Sequence, residues 1–358
     1  MARPAYARIN LQAIRHNYQC AKQLAPQAHA LAIIKANAYG HGAVAVAQAL
    51  QAQVDGFGVA CIEEALELRE AGIQGRLVLL EGIFSPDEMM LAEQNQLTLT
   101  VHTHEQLQWL LRAQPQQPLD VLLKIDTGMH RLGFAPAQVS KVFEALQQCP
   151  HIGQVVLMSH LSSADVTQAS TTQAQLHCFQ QATQHLSAPV SLANSAATLA
   201  WPAAHGDWLR PGIMLYGADP LDQANGASQT LQAAMQLGSA VIAVHELAAG
   251  ERVGYGGRFL CEQPTQVAVV AMGYGDGYPR HAKDGTPVAL NGQRTRLIGR
   301  VSMDMLTVDA TGMAVQVGDP VELWGETVRA NEVAAWSDTI AYTLFTGVTP
   351  RVPRYYAT

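Results

Sequence analysis

Between residues 30 and 217 the chain alternates short apolar runs with longer stretches in which apolar positions recur every three or four residues. The runs at 31–35, 57–60, 76–80, 97–101, 121–126, 155–160, 190–193 and 212–216 have the length and content of buried strands. The stretches between them read as helices: 62–71 is apolar at Ile62, Ala65, Leu66 and Leu68, which share one face, and 138–147 has the same period. Ser85-Pro86-Asp87-Glu88 has capping-box spacing, with proline at the first helical position. Eight strands, each followed by a helix, predict a (β/α)8 barrel. A doubly wound open sheet is the competing arrangement, but it usually has fewer strands.

The texture changes after residue 230. Runs at 239–245, 266–272, 295–298, 305–308 and 320–324 are short and separated by Gly-Tyr-Gly, Asp-Gly and Asn-Gly turns, and only 331–336 reads as a helix. The predicted fold class is therefore α/β, with an N-terminal TIM-type barrel over residues 1–230 and a mostly β C-terminal unit over 231–358. At 358 residues the chain exceeds the usual size of one core, which favours the same division. No low-complexity linker separates the units, so they are expected to pack together and share a cleft.

A net charge of −7, with 22 Lys and Arg, leaves too little positive surface for nucleic acid or an anionic membrane, while small anionic ligands could still be held by local groups. Five cysteines, Cys20, Cys61, Cys149, Cys178 and Cys261, lie far apart with no Cys-x-x-Cys pair, the usage of a reducing compartment. The first eight residues lack the apolar run of a secretory signal, and no later stretch has the length of a membrane span. A soluble, cytoplasmic protein is expected. The densest histidine group, His102-Thr103-His104-Glu105, reads as a strand-to-helix junction because Thr103 and Gln106 have capping spacing, and no metal site is expected.

The functional face of such a barrel is where strands end and loops begin. Lys35 ends the first candidate strand, within Ile33-Ile34-Lys35-Ala36-Asn37-Ala38-Tyr39-Gly40-His41-Gly42. Lys124 and Asp126 end the fifth, with Arg131 shortly after, and His160 ends the sixth. Asn194-Ser195-Ala196-Ala197 follows the seventh, and Arg210-Pro211-Gly212-Ile213 leads into the eighth. An ammonium held among apolar neighbours tends towards a free amine able to form a Schiff base. The backbone N–H groups near Ser195, Gly212 and Ile213 could cradle a phosphate. Each residue has a plainer explanation taken singly: a strand-end lysine reaching solvent, an N-cap serine, a turn tyrosine packed on a neighbour. Together on one face, a lysine and a phosphate cradle are what pyridoxal phosphate requires. An arginine such as Arg210 at the pyridine nitrogen would hold it unprotonated and limit side reactions, which suits simple α-proton transfer. Transfer at both faces of a carbon needs a second group, and Tyr255, in Val253-Gly254-Tyr255-Gly256-Gly257, is the candidate.

These motifs closely resemble those of bacterial alanine racemases, fold-type III pyridoxal-phosphate enzymes, and the likeness runs from near residue 3 to the C terminus. Its carriers are the 35–42 segment, Lys124-Ile125-Asp126-Thr127-Gly128-Met129-His130-Arg131, Asn194-Ser195-Ala196-Ala197-Thr198, Arg210-Pro211-Gly212-Ile213-Met214-Leu215-Tyr216-Gly217, Gly254-Tyr255-Gly256 and Gly299-Arg300-Val301-Ser302-Met303-Asp304. The resemblance implies interconversion of L- and D-alanine, with Lys35 binding the cofactor and acting on the D-face and Tyr255 acting on the L-face. It implies that Tyr39, Ser195, Gly212 and Ile213 hold the phosphate, that Arg210 faces the pyridine nitrogen, and that His160 links Tyr255 to Arg210 by hydrogen bonds. Arg131 and the Met303 N–H would hold the substrate carboxylate, and Lys124 matches a lysine that can be carbamylated. A head-to-tail homodimer is implied, in which Tyr255 and Met303 complete the partner's site. Tyr274, Asp165, Arg280 and Arg300 correspond to residues of the substrate entrance. Two positions depart from the family: Pro350 stands where some relatives carry a tyrosine touching the phosphate, and Ser302 replaces a common cysteine. The alternatives are a racemase accepting serine as well as alanine, a non-catalytic pyridoxal-phosphate-binding protein, and a fold-type III decarboxylase. The β-rich unit speaks against the binder, which would resemble the barrel alone, and larger decarboxylase substrates would not need a pocket closed by Tyr255 and Met303.

Overall fold

The computed structural model describes residues 3–357. Eight parallel strands form the barrel: His29–Ile33, Gly56–Val59, Leu77–Leu79, Leu97–Val101, Leu119–Lys124, Ile152–Met158, Val190–Ser191 and Trp208–Leu209. They hydrogen-bond in chain order, and the last lies beside the first, pairing His29 with Trp208 and Ala30 with Leu209. The ring is closed by the Asp207 N–H donating to the Val190 carbonyl at 2.9 Å and the Arg210 N–H donating to that of Ala193 at 2.8 Å. Such strands are covered on both faces, inside by barrel side chains and outside by helices, so they read as continuous apolar runs.

The eighth strand corrects the sequence reading. It is Trp208–Leu209, and the apolar run placed at 212–216 is a buried 3₁₀ turn, Ile213–Tyr216. Pro211, lacking an N–H, cannot donate to a ladder, but its carbonyl accepts from the Ile33 N–H at 2.9 Å. Period alone cannot separate a short buried strand from a buried turn. The Ser85 capping box does not form either: the helix is Glu88–Gln94, and Ser85 offers only its carbonyl, to the Glu88 N–H at 3.3 Å. The histidine segment at 102–104 is the junction expected, with Thr103 Oγ1 accepting from the Gln106 N–H at 3.2 Å as helix His104–Arg112 begins.

The second unit is built on an eight-stranded sheet around the long strand Met235–Leu247, which pairs antiparallel with Thr265–Val270 and Pro320–Trp324. The strand Tyr6–Asn10 joins this sheet, antiparallel to Met235–Leu247 and parallel to Arg354–Ala357, so both ends of the chain lie side by side in it. The helix Ala330–Trp336 is followed by a second, Ala341–Gly347, which the pattern did not reveal because its apolar face is only Ala341, Leu344 and Phe345.

Between strand His29–Ile33 and helix Ala43–Leu50 the backbone winds the wrong way. Ala36, Asn37, Ala38 and Tyr39 all have φ between 51° and 53°, a left-handed turn of four non-glycine residues. Each such residue costs roughly 1–2 kcal/mol, so the turn must be held from outside. The Ala36 N–H donates to Glu64 Oε1 at 2.6 Å, and Ala38 donates to the Ile34 carbonyl at 2.8 Å. Asn37 Oδ1 accepts from the Ala43 N–H at 2.8 Å, starting the next helix. The second unit closes on the turn from above: Arg354 Nε donates to the Gly40 carbonyl at 2.7 Å, and a Cβ on Gly40, whose φ is 79°, would lie 2.1 Å from the Phe345 carbonyl oxygen. Gly40→Ala is therefore expected to cost about 3 kcal/mol or more. Gly72→Ala, at a similar φ with open space around it, is expected to cost only about 1 kcal/mol. Urea unfolding of the two variants checks this, and equal losses would contradict it.

Candidate active site

The barrel mouth opens into a cavity of about 560 Å³ whose walls include Lys35, Tyr39, Lys124, Arg131, His160 and Arg210. The second unit contributes Tyr342 and Thr346 from helix Ala341–Gly347. Six expected residues from four segments thus meet in one space. Lys35 follows directly on the buried Ile34 and opens the left-handed turn, so its backbone is fixed on both sides.

Arg210 is 5% exposed and pinned by three acceptors: Ser191 Oγ at 2.6 Å and the carbonyls of Ser159 at 2.6 Å and Leu192 at 3.2 Å. Its hydrogen bonds go to these groups and not to the His160 ring. Burial lowers its pKa to about 10, which leaves it a cation at neutral pH. His160 is pushed well below the ordinary histidine value by burial and then by the charges of Arg210 and Lys124, so it is neutral. Lys124 is 7% exposed, and burial, then Arg210 and Arg131, bring its pKa down to about 7. Asp126 opposes this only in part, because its carboxylate also accepts from the N–H groups of Gly128, Met129 and His130.

Beside Arg210 lies a group of convergent donors. Ser195 Oγ accepts from the Gly212 N–H at 2.8 Å and the Met214 N–H at 3.3 Å. Ser195 is not the helix cap: Asn194 is, accepting from the Ala197 N–H at 2.9 Å, which leaves the serine hydroxyl for another use. A Cβ on Gly212 would stand 2.7 Å from Tyr39 Oη, so only glycine lets the phenol reach this backbone. Tyr39 is buried, its ring centre 4.9 Å from that of Tyr216 in a tilted pair and 5.8 Å from that of Tyr342, and burial raises its pKa. A hydroxyl, a phenol and the backbone N–H groups gathered about that hydroxyl, with the lysine and the buried arginine of the cavity, fit a phosphorylated pyridine aldehyde.

Tyr255 and Met303 do not join this cavity. Tyr255 opens the 3₁₀ turn Tyr255–Gly257 and is 67% exposed, and Met303 is 52% exposed on a neighbouring loop. Tyr274 and Arg280 stand near each other, the guanidinium 5.9 Å from the ring centre, while Arg300 and Asp165 are exposed. Pro350 is exposed and outside the cavity wall. Ser302 is half-buried, and its carbonyl accepts from the Tyr274 N–H. Tyr342 and the Met214 N–H are the functional groups that sequence reasoning missed. The former sits on the helix that the pattern hid; the latter is backbone and leaves no sequence signal. Among the described residues no group of three or more His, Cys, Asp or Glu could hold a metal ion, and no helix is long and apolar enough to cross a membrane.

A closed barrel with a lysine, a phosphate cradle and a buried arginine at its mouth, joined to a β-rich unit, defines a pyridoxal-phosphate enzyme of the barrel class. The chain belongs to the alanine racemase family: the alanine racemase N-terminal domain matches residues 9–220 and the C-terminal domain residues 234–356. It is 53% identical to the alanine racemase of Chromohalobacter salexigens, over 99% of this chain and 98% of that one. Among solved structures it is similar to the biosynthetic alanine racemase of Pseudomonas aeruginosa, with 48% identity, a TM-score of 0.96 and coverage of 99% and 100% of the two chains. The alanine racemase of Bartonella henselae, solved with covalently bound pyridoxal phosphate, is 30% identical with a TM-score of 0.89, over 99% of each chain.

The lowered pKa of Lys124 has a signed consequence for stability. Below about pH 7 the lysine is protonated in both folded and unfolded chains, and the full cost of burying its charge is present. Between that pH and the unfolded value near 10.4 the unfolded chain binds more protons, so stability rises with pH. Lys124→Met is expected to remove this rise, flattening the slope by up to about 1.4 kcal/mol per pH unit. Urea midpoints of both proteins from pH 7 to 9.5 test it, and parallel pH profiles would refute the assignment.

Proposed function

We propose that this chain carries out alanine racemisation, an isomerisation dependent on pyridoxal phosphate, with two proton-transfer groups on opposite faces of the substrate. These are Lys35 from its own barrel and Tyr255 from a second copy of the chain. One observation carries this reading: the barrel mouth gathers Lys35 and the cofactor-binding groups on one side, while Tyr255 and Met303 stand exposed on the second unit, outside their own chain's cavity.

When bound, pyridoxal phosphate supplies an electron-withdrawing ring that acidifies the substrate Cα–H. Tyr39 Oη, Ser195 Oγ and the N–H groups of Gly212 and Ile213 hold the phosphate. Arg210, a cation fixed by three acceptors, would meet the ring nitrogen and disfavour its protonation, which would restrain side reactions. His160, neutral in the same cavity as that cation, would link Tyr255 of the second copy to Arg210. Lys35 Nζ moves the proton on the D-face and Tyr255 Oη on the L-face. Arg131 and the Met303 N–H grip the substrate carboxylate, which orients the Cα–H bond between the two groups. Lys124, with its amine partly neutral at pH 7, can attack carbon dioxide; an N–C bond forms, a proton leaves, and the resulting carbamate anion orients Arg131. The functional unit is then a head-to-tail homodimer. Five unpaired cysteines suit a reducing cytoplasm.

Incubation with each alanine enantiomer in deuterated water tests the reading. Deuterium should enter Cα from both sides while optical rotation decays, and absence of exchange with cofactor bound would end it. Tyr255→Phe should lose proton abstraction from L-alanine by about 10²-fold or more beyond its loss from D-alanine, the usual size of a general-base effect. Equal losses from both enantiomers would contradict the two assignments.

A further inference from the structure

The reading above gives the Met303 N–H a task but leaves open what aims it. Ser302 C=O and Met303 N–H belong to one planar trans peptide, so whatever holds the carbonyl points the N–H the opposite way. The Tyr274 N–H donates to that carbonyl at 3.0 Å, and the Gly275 N–H donates to the Met303 carbonyl at 2.8 Å. Two successive peptides of the Met303 loop therefore hang on the turn at 273–277.

That turn is held in turn by a buried carboxylate. Asp276 is fully buried; its Oδ2 accepts from the Gly273 N–H at 2.9 Å. Both oxygens are gripped by Arg3, at 2.5 and 2.6 Å, and the same guanidinium donates to the Asp304 carbonyl at 3.0 Å. Arg351 adds a hydrogen bond to Asp304 Oδ1 at 2.6 Å and lies 3.6 Å from Asp276 Oδ1. A bidentate arginine fixes direction as well as distance, and here it spans the turn and the residue after Met303. Arg3 lies three residues before the start of the strand Tyr6–Asn10 in the second sheet, so its backbone is anchored independently of the loop it grips.

We propose that Arg3 is a positioning residue for the neighbouring subunit's active site, acting through Asp276 to fix the peptide that presents the Met303 N–H to the substrate carboxylate. The proposal rests on the assignment of Met303 and the shared site given above. It does not concern the cavity of its own chain, although the knot also borders that side: the Thr349 N–H donates to the Asp276 carbonyl at 3.0 Å, just beyond the helix that carries Tyr342 and Thr346.

A mixed dimer with one live site separates the two sides. Pair a Lys35→Ala subunit with a Lys35-bearing subunit; the live site then uses Met303 of the Lys35→Ala chain. With Arg3→Gln on the Lys35→Ala chain, KM for both alanine enantiomers should rise about fivefold to tenfold, the value of one misaligned hydrogen bond, with kcat changed less than about twofold. With Arg3→Gln on the other chain, KM should stay within about twofold of the parent mixed dimer. Arg3→Lys, which keeps the charge but loses the fork, should show the same asymmetry and guards against a folding defect of the glutamine variant. Visible absorbance of bound pyridoxal phosphate should be unchanged throughout. Equal effects in both arms, or none in either, overturn the proposal while leaving the two-base reading intact. Activity in the Lys35→Ala homodimer would overturn that reading, and this proposal with it.

Discussion

The site depends on a backbone turn that could not stand by itself. Four consecutive left-handed residues, Ala36 to Tyr39, are a conformation L-residues avoid, and no isolated peptide would keep it. It persists because two distant parts of the chain hold it, Glu64 from helix Ile62–Glu70 and Arg354 from the C-terminal strand, while Asn37 within the turn accepts from the Ala43 N–H and starts helix Ala43–Leu50. The turn brings Lys35 and Tyr39 into one cavity within five residues. A right-handed helix beginning at Lys35 would carry the chain away from the barrel mouth. Strain at this point is thus tied to the geometry that the lysine and the phenol need. Behind the turn, His41 fills a fully buried slot, stacked on Tyr216 and edge-on to Phe345, with Nδ1–H donating to the carbonyls of Ala38 and Tyr39. Burial keeps its pKa down at about 3, so it acts there as a neutral spacer between the units.

A second constraint is electrostatic. Lys35, Lys124, Arg131 and Arg210 converge on one cavity, and the shifts of Lys124 and His160 register their mutual repulsion as well as burial. Asp126 relieves this only partly, since its carboxylate is shared with three N–H groups and the His130 ring. A cavity with such a surplus is less favourable empty than with anions in it. A phosphate and a substrate carboxylate are two anions of the right size, and a carbamate on Lys124 would convert one of the repelling cations into a third. The chain is acidic overall, so this positive charge is local and walled in.

Most of the barrel was legible because parallel strands covered on both faces leave unbroken apolar runs, and because a barrel topology assigns function to strand ends. Lys35, Lys124 and His160 could be named for that reason alone. What escaped was set by contacts distant in sequence. Trp208–Leu209 is two residues long and takes its strand character only from pairing with His29–Ile33, whereas the more apolar 213–216 run is buried without pairing. The membership of Tyr6–Asn10 in the second sheet rests on partners more than two hundred residues away. Tyr342 lies on a seven-residue helix whose apolar face is too short to show a period. The left-handed turn left a trace in Gly40 and Gly42, but its direction is fixed by the unit above it.

The proposed division of the site between two copies is consistent with how the second unit meets the barrel mouth. The barrel supplies Lys35, Lys124, Arg131, His160 and Arg210 to the cavity, and the chain's own second unit meets it through the helix that carries Tyr342 and Thr346. A second proton-transfer group such as Tyr255 would then come from another copy. The turn bearing Tyr255 and the loop bearing Met303 stand exposed on their own chain, outside its cavity. In the proposed mechanism the two-base chemistry and the dimer would then be one requirement: the fold that fixes Lys35 so firmly is also the fold that keeps Tyr255 of the same chain out of its cavity.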